Sequence, residues 1–140
     1  MDFLARREHS SYELVQKLQR RFVEVIGIES VVDELSEENL QSDARFAEAY
    51  VRYRCRRGYG PVHIRQKMRE KGLSDDLVSK YLYSDLSLNW ANLAKVVKEK
   101  KFGSIIVSDY KAKAKQIRFL QHRGFDSETV FLTVEGRIID

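Results

Sequence analysis

Arg52 and Arg56 stand four residues apart, and so do Arg65 and Arg69. On helices that spacing puts each pair on one face, turned away from the apolar stripe. A second set, Lys98, Lys101, Lys115 and Arg118, lies further along the chain, and Arg57 and Arg123 are counted with these candidates. The chemistry open to such residues is binding: contact with an anionic partner such as nucleic acid, or with a surface of both signs. A blander reading stays open, in which they are solvated faces or pair with acids elsewhere in the chain. Exposed pairs of that kind contribute only about 0–1 kcal/mol each.

Groups that could make or break bonds are scarce. His9, His63 and His122 are scattered and never fall in an H-E-x-x-H spacing. There is no P-loop and no G-x-S-x-G. His63 reads as a surface residue. Cys55 is alone, so no intramolecular disulfide and no cysteine-based zinc set can form, and it reads as a small filler. Tyr50, Tyr53, Trp90 and Phe119 fall on helical stripes and are expected in the core before they are expected to stack on bases.

The elements that must carry the arginines are clearest from 43 to 72. Phe46, Ala47, Tyr50, Val51 and Tyr53 recur at helical intervals and predict one broad buried face. Asp43 precedes them as the expected cap. Gly58 and Gly60 stop this helix, Pro61 opens the next, Ile64 and Met68 give its inner face, and Gly72 ends it. Earlier, residues 3–9 read as a helix tail. Ser10 and Glu13 then have the capping-box spacing, and Leu14, Leu18 and Phe22 follow. A turn is expected around Gly27, a short helix over 30–35 and a helical turn at 37–40.

After Gly72, Ser74 caps a helix carrying Leu77, Val78, Tyr81 and Leu82. Trp90, Leu93, Ala94 and Val97 form the next stripe. Ile105, Ile106 and Val107 alone suggest a strand, but no partner strand is evident, so a loop with buried anchors is expected over 104–110. A basic helix over 111–123, a short one over 127–134 and a frayed tail from 136 complete the chain.

Composition agrees with a folded helical protein: 33% charged residues, 43% hydrophobic ones and a single proline. No apolar run approaches the roughly 20 residues of a membrane span, and the N-terminus lacks a signal-peptide core. A reducing, cytoplasmic setting and a monomer are expected. The net charge of +4 conceals blocks. Residues 24–43 hold seven acids and no Lys or Arg; residues 44–72 and 95–123 each hold nine bases and two acids.

The chain also repeats itself. KGLSDDLV at 71–78 resembles RGFDSETV at 123–130, and Tyr59-Gly60 resembles Phe102-Gly103. The glycine steps are 12 and 21 residues, so the second copy carries nine more, which the 104–110 loop can absorb. Three stacked three-helix units follow, over 1–40, 41–86 and 87–140, forming an elongated, curved all-α body.

LARREHS at 4–10, SDARFAEAYVRYR at 42–54 and RRGYGPVHIRQKMREKG at 56–72 resemble the RecX family. KKFG at 100–103 and KQIRFLQHRGF at 115–125 continue the likeness in order. The resemblance implies an all-helical protein of tandem three-helix units that regulates the RecA recombinase without catalysis. It implies docking along the RecA–single-stranded DNA filament, restraint of its ATPase, strand exchange and co-protease activity, and DNA binding of varying strength. It brings no cofactor, no metal and no catalytic residue. Two departures from the family pattern are expected: a first unit lacking most of its first helix, and Arg21-Phe22 in place of the Lys-Gly turn. A helical DNA-binding module acting without a protein partner is the rival expectation.

Overall fold

A computed structural model describes residues 7–21, 28–37, 41–85 and 87–138. These residues form eight helices and no strand: α1 (Ser11–Arg21), α2 (Ile28–Glu37), α3 (Asp43–Arg56), α4 (Pro61–Glu70), α5 (Asp75–Leu82), α6 (Trp90–Phe102), α7 (Tyr110–His122) and α8 (Ser127–Val134). The expected helix tail at 3–6, the turn around Gly27, the helical turn over 38–40 and the last two residues lie outside the described residues. Residues 7–9, read as the end of that tail, are not helical.

Local signals account for most helix starts. The Ser10 hydroxyl accepts from the Glu13 amide at 3.1 Å, and the Glu13 carboxylate accepts from the Ser10 amide at 3.3 Å. That reciprocal pair satisfies two donors which the first helical turn leaves over. Ser74, Asn89 and Asp109 cap α5, α6 and α7 in the simpler way. Asp43 does not cap α3 as expected. Ser42 takes that place, accepting from the Arg45 amide at 3.2 Å. The Asp43 carboxylate instead accepts from the Ser11 amide at 2.8 Å, at the start of α1.

The chain divides into two compact units, one of residues Met1–Arg52 with Lys67–Ser84, the other of Tyr53–Gln66 with Asp85–Asp140. In the first, α1 packs on α2 through Leu14, Leu18, Val32 and Leu35. Beside this small core lies a polar one. Gln41, buried, accepts from the Ser11 hydroxyl at 2.9 Å and from the Ser36 hydroxyl. Its amide donates to Asp43 at 2.9 Å and to the His9 carbonyl at 3.3 Å. In the second unit, α6, α7 and α8 pack pairwise around Ala94, Leu120, Phe125, Val130 and Val134. Trp90 and Leu93 lie half-buried against that cluster.

Two expectations about burial are overturned. On α3, Phe46, Ala47 and Val51 are buried, but Tyr53 is 48% exposed. The segment 104–109 is a loop, as expected, but its isoleucines are not buried, although Ile106 rests against Gly136. Ile105 is 78% exposed and Ile106 48%. The buried anchor is Lys98, which is 2% exposed and donates to the carbonyls of Gly103 and Ile105 at 2.9 and 3.1 Å.

Candidate functional site

The second unit lays cations over ring faces in a row. Arg57 and Arg54 lie 5.7 and 5.9 Å from the ring centre of Tyr53, and Arg54 is also 5.2 Å from that of Tyr59. Arg123 lies 5.0 Å from Tyr59 and 5.2 Å from Phe119, and Lys101 is 5.6 Å from Phe119. Each such contact contributes about 0.5–1 kcal/mol at an exposed site. Phe102 meets Phe119 edge-on at 5.4 Å, and His63 stacks on Tyr59 at 4.2 Å. His63 is therefore half-buried in the row, not a plain surface residue.

Backbone structure fixes the row. After α3, Gly58 takes a positive φ of 83°, and the Tyr59 amide returns to the Arg54 carbonyl at 3.1 Å. Arg123 is tied at both ends: its carbonyl accepts from the Gly60 amide at 2.7 Å, and its guanidinium donates to the Arg57 carbonyl at 2.9 Å. The result is a fixed strip of positive charge and ring face, suited to phosphates with bases or to an acidic protein surface with apolar spots.

The sequence candidates are placed unevenly around it. Arg57, Lys101 and Arg123 belong to the row. Arg56, Lys115 and Arg118 are exposed elsewhere in the second unit, and Arg65 is half-buried. Arg52 and Arg69 fall in the first unit. Arg52 meets Glu48 at 2.5 Å and Arg69 meets Asp75 at 3.5 Å. Neither acid belongs to the 24–43 block. Lys98 is the correction: it shares helical spacing with exposed Lys101, but its ammonium is spent inside on two carbonyls. Sequence reasoning missed Arg54, Tyr53 and Tyr59 as parts of a surface. The alternation of arginine and tyrosine from 50 to 59 was the available signal.

Cys55 offers no chemistry, because burial pushes its thiol up to about 11, leaving little thiolate near neutrality. Among the described residues no group of His, Cys, Asp or Glu could hold a metal ion, and no helix is long and apolar enough to cross a membrane.

Two family models match the chain: the second three-helix domain of RecX over residues 42–82 and the third over residues 91–132. A regulatory protein RecX of Halorhodospira halophila is 41% identical over 127 residues, covering 91% of this chain and 78% of the relative. The chain belongs to the RecX family. A regulatory protein RecX of Pseudomonas tolaasii is 39% identical over 140 residues, all of this chain and 90% of its own length. Two crystal structures share the fold. One, of a regulatory protein RecX, has a TM-score of 0.76 at 23% identity, over 94% of this chain and 66% of that one. The other, RecX from Lactobacillus salivarius, has a TM-score of 0.77 at 19% identity, over 97% and 90%. Within the RecX pattern, the row draws Tyr53, Arg54, Arg57 and Tyr59 from the second-domain match. Lys101, Phe119 and Arg123 come from the third.

Proposed function

We propose that this chain regulates the RecA recombinase by binding the RecA–single-stranded DNA filament, and that it does so without catalysis. On this reading it restrains the filament's ATPase, strand-exchange and co-protease activities in recombination, repair and the SOS response. Membership in the RecX family carries the reading. The row of cations on ring faces supports it, because a nucleoprotein filament presents phosphates and acidic side chains together. Changing Arg54 and Arg57 to Glu reverses two charges on one edge of that row. The variant is expected to keep its helical circular dichroism and to need at least tenfold more protein to slow RecA ATPase on single-stranded DNA. Unchanged inhibition by the folded variant would remove the row from the docking surface.

A second reading, a module that binds nucleic acid with no protein partner, is favoured by one observation. Tyr53 is exposed and flanked by two guanidiniums, the pattern of a stacking platform. Binding to bare single strands that falls steeply with salt, with no effect on RecA, would establish it in place of the first.

A further inference from the structure

The loop after α6 spends a buried charge to hold apolar side chains in water. Taking an ammonium out of solvent is costly unless its donors are met. Lys98 directs two of its three donors to the carbonyls of Gly103 and Ile105, which fixes the loop backbone. Two more ties hold the same segment. Asp109 caps α7 through the Ala112 amide at 3.1 Å, and Ile106 lies so close to Gly136 that a Cβ there would come within 2.8 Å of it. Yet Ile105 is 78% exposed, Ile106 48% and Tyr110 85%. Single exposed apolar residues are ordinary, but three large ones within six residues, two on the braced loop and one at the first position of α7, concentrate uncovered apolar surface at this tip.

We infer that residues 104–110 are a protein-docking tip: Ile105 and Tyr110 enter an apolar cleft with an acidic rim on a protein subunit of the filament. This rests on the function proposed above. The charge around the tip selects the occupant. Lys100, Lys101 and Lys111 are exposed and flank it in sequence, while Asp109 is engaged in capping. A second copy of this chain, pairing tip to tip, would set these lysines against one another. Bare nucleic acid would satisfy the lysines but not isoleucine, which has no ring to stack and no polar group to donate. An apolar cleft bordered by carboxylates satisfies both.

The test compares the unaltered chain with an Ile105→Ser, Tyr110→Ser double variant. Each is titrated onto RecA filaments formed on a thymidine oligonucleotide, and onto the same oligonucleotide bare. Both substitutions are at exposed sites, so circular dichroism should not change. The expected result is at least tenfold weaker binding to the filament with binding to the bare strand unaltered. Lys98→Met, which keeps the aliphatic stem but frees the loop, should speed hydrogen exchange at 104–109 and weaken filament binding by a smaller factor. Equal binding by the double variant and wild type overturns the inference and leaves the proposed function standing. A matching loss on the bare strand makes the tip a nucleic-acid contact and also overturns it. If the wild type itself ignores the filament, the proposed function fails first and the inference with it.

Discussion

Each compact unit contains a joint where the start of one helix rests on the glycine turn ending another, and the two joints are made of different materials. In the first unit, α1 begins over the end of α4. The Ser10 hydroxyl donates to the Lys71 carbonyl at 2.7 Å, and the Tyr12 side chain lies against Gly72. In the second unit, α4 begins over the end of α7. There the amides of Gly60 and Val62 donate to the carbonyls of Arg123 and Gly124 at 2.7 and 2.9 Å. The supporting turns are alike: Leu73 returns to Met68, and Phe125 to Leu120, both at 3.2 Å. Both joints use carbonyls that a helix end leaves over. The second joins backbone to backbone. The first works through side chains, and charges gather around it. Lys71 and Arg7 meet the buried Glu13 carboxylate at 3.0 and 2.9 Å. Both joints leave no room for a side chain on their glycine, against backbone at Gly60 and against the Tyr12 side chain at Gly72, but only the first also ties stability to protonation.

The largest effect should come from putting a side chain into the backbone joint. A Cβ on Gly60 would lie 2.6 Å from the carbonyl carbon and oxygen of Gly124 and from the Phe125 nitrogen. No rotamer change relieves an overlap with backbone. Gly124→Ala would meet His63 at 2.4 Å and also hold a φ of 94°, which side-chain-bearing residues rarely adopt. Gly60→Ala should therefore cost about 3 kcal/mol in denaturant melts. A loss under about 1 kcal/mol would show that the joint slides open easily, and the contrast with the first unit would collapse.

The side-chain joint should respond to acid. Burial favours the neutral form of Glu13, but hydrogen bonds from Arg7 and Lys71 outweigh it and hold the carboxyl at about 2, below the ordinary 4.5. A depressed carboxyl contributes stability that is present above pH 4.5 and lost as pH falls toward 2. Partners Arg7 and Lys71 are 47% and 35% exposed, so solvent screens the effect to on the order of 2 kcal/mol. His9 acts in the same direction at milder pH. Its ring is buried, with Nδ1 donating to the Arg7 carbonyl and Nε2 accepting from the Lys17 ammonium, each at 3.0 Å. Burial and then the Arg7 charge hold its pKa below 6.5. Protons thus favour the unfolded chain as pH drops past 6.5. Hydrogen exchange followed from pH 7 to pH 3 should show α1 losing protection before α7. Glu13→Gln should cost about 2 kcal/mol at pH 7 and flatten the lower part of that profile. Equal acid loss in both units would break the comparison.

What the sequence revealed was local. Ser10 with Glu13, Ser74 before its acids and the glycine stops each act within a few residues, and each took the expected form. What it hid depends on partners brought from far along the chain. Asp43 serves Ser11, 32 residues away, while its neighbour Ser42 caps the helix; from the sequence alone either residue could have been the cap. Gln41 looks like a linker residue until Ser11, Ser36 and His9 surround it. Lys98 and Lys101 have the same chemistry and neighbouring helical positions; only the returning loop decides which one is buried. Ile105 and Ile106 carry the pattern of buried residues, and their exposure is a property of the surface they leave uncovered. The candidate surface was legible as charge but not as geometry. Cation-on-ring contacts join residues as far apart as Tyr59 and Arg123.

The smallest effect separates the first joint from the cap it is built on. Ser10 and Ser74 both cap a helix, accepting from the amide three residues on at 3.1 and 3.3 Å. Ser74 is exposed and its hydroxyl serves its own helix, whereas Ser10 is buried and also donates to Lys71. Water can replace the hydroxyl lost in Ser74→Ala, so that change should cost only about 0.5–1 kcal/mol. Ser10→Ala leaves the Glu13 amide and the Lys71 carbonyl without this partner where water has less access, and should cost about 2 kcal/mol. The difference between the two, measured in the same denaturant and at neutral pH, is the contribution of the joint with capping subtracted. If both variants lose the same amount, the Ser10–Lys71 bond adds nothing beyond the cap. The first joint would then rest on its charges and on Tyr12 against Gly72.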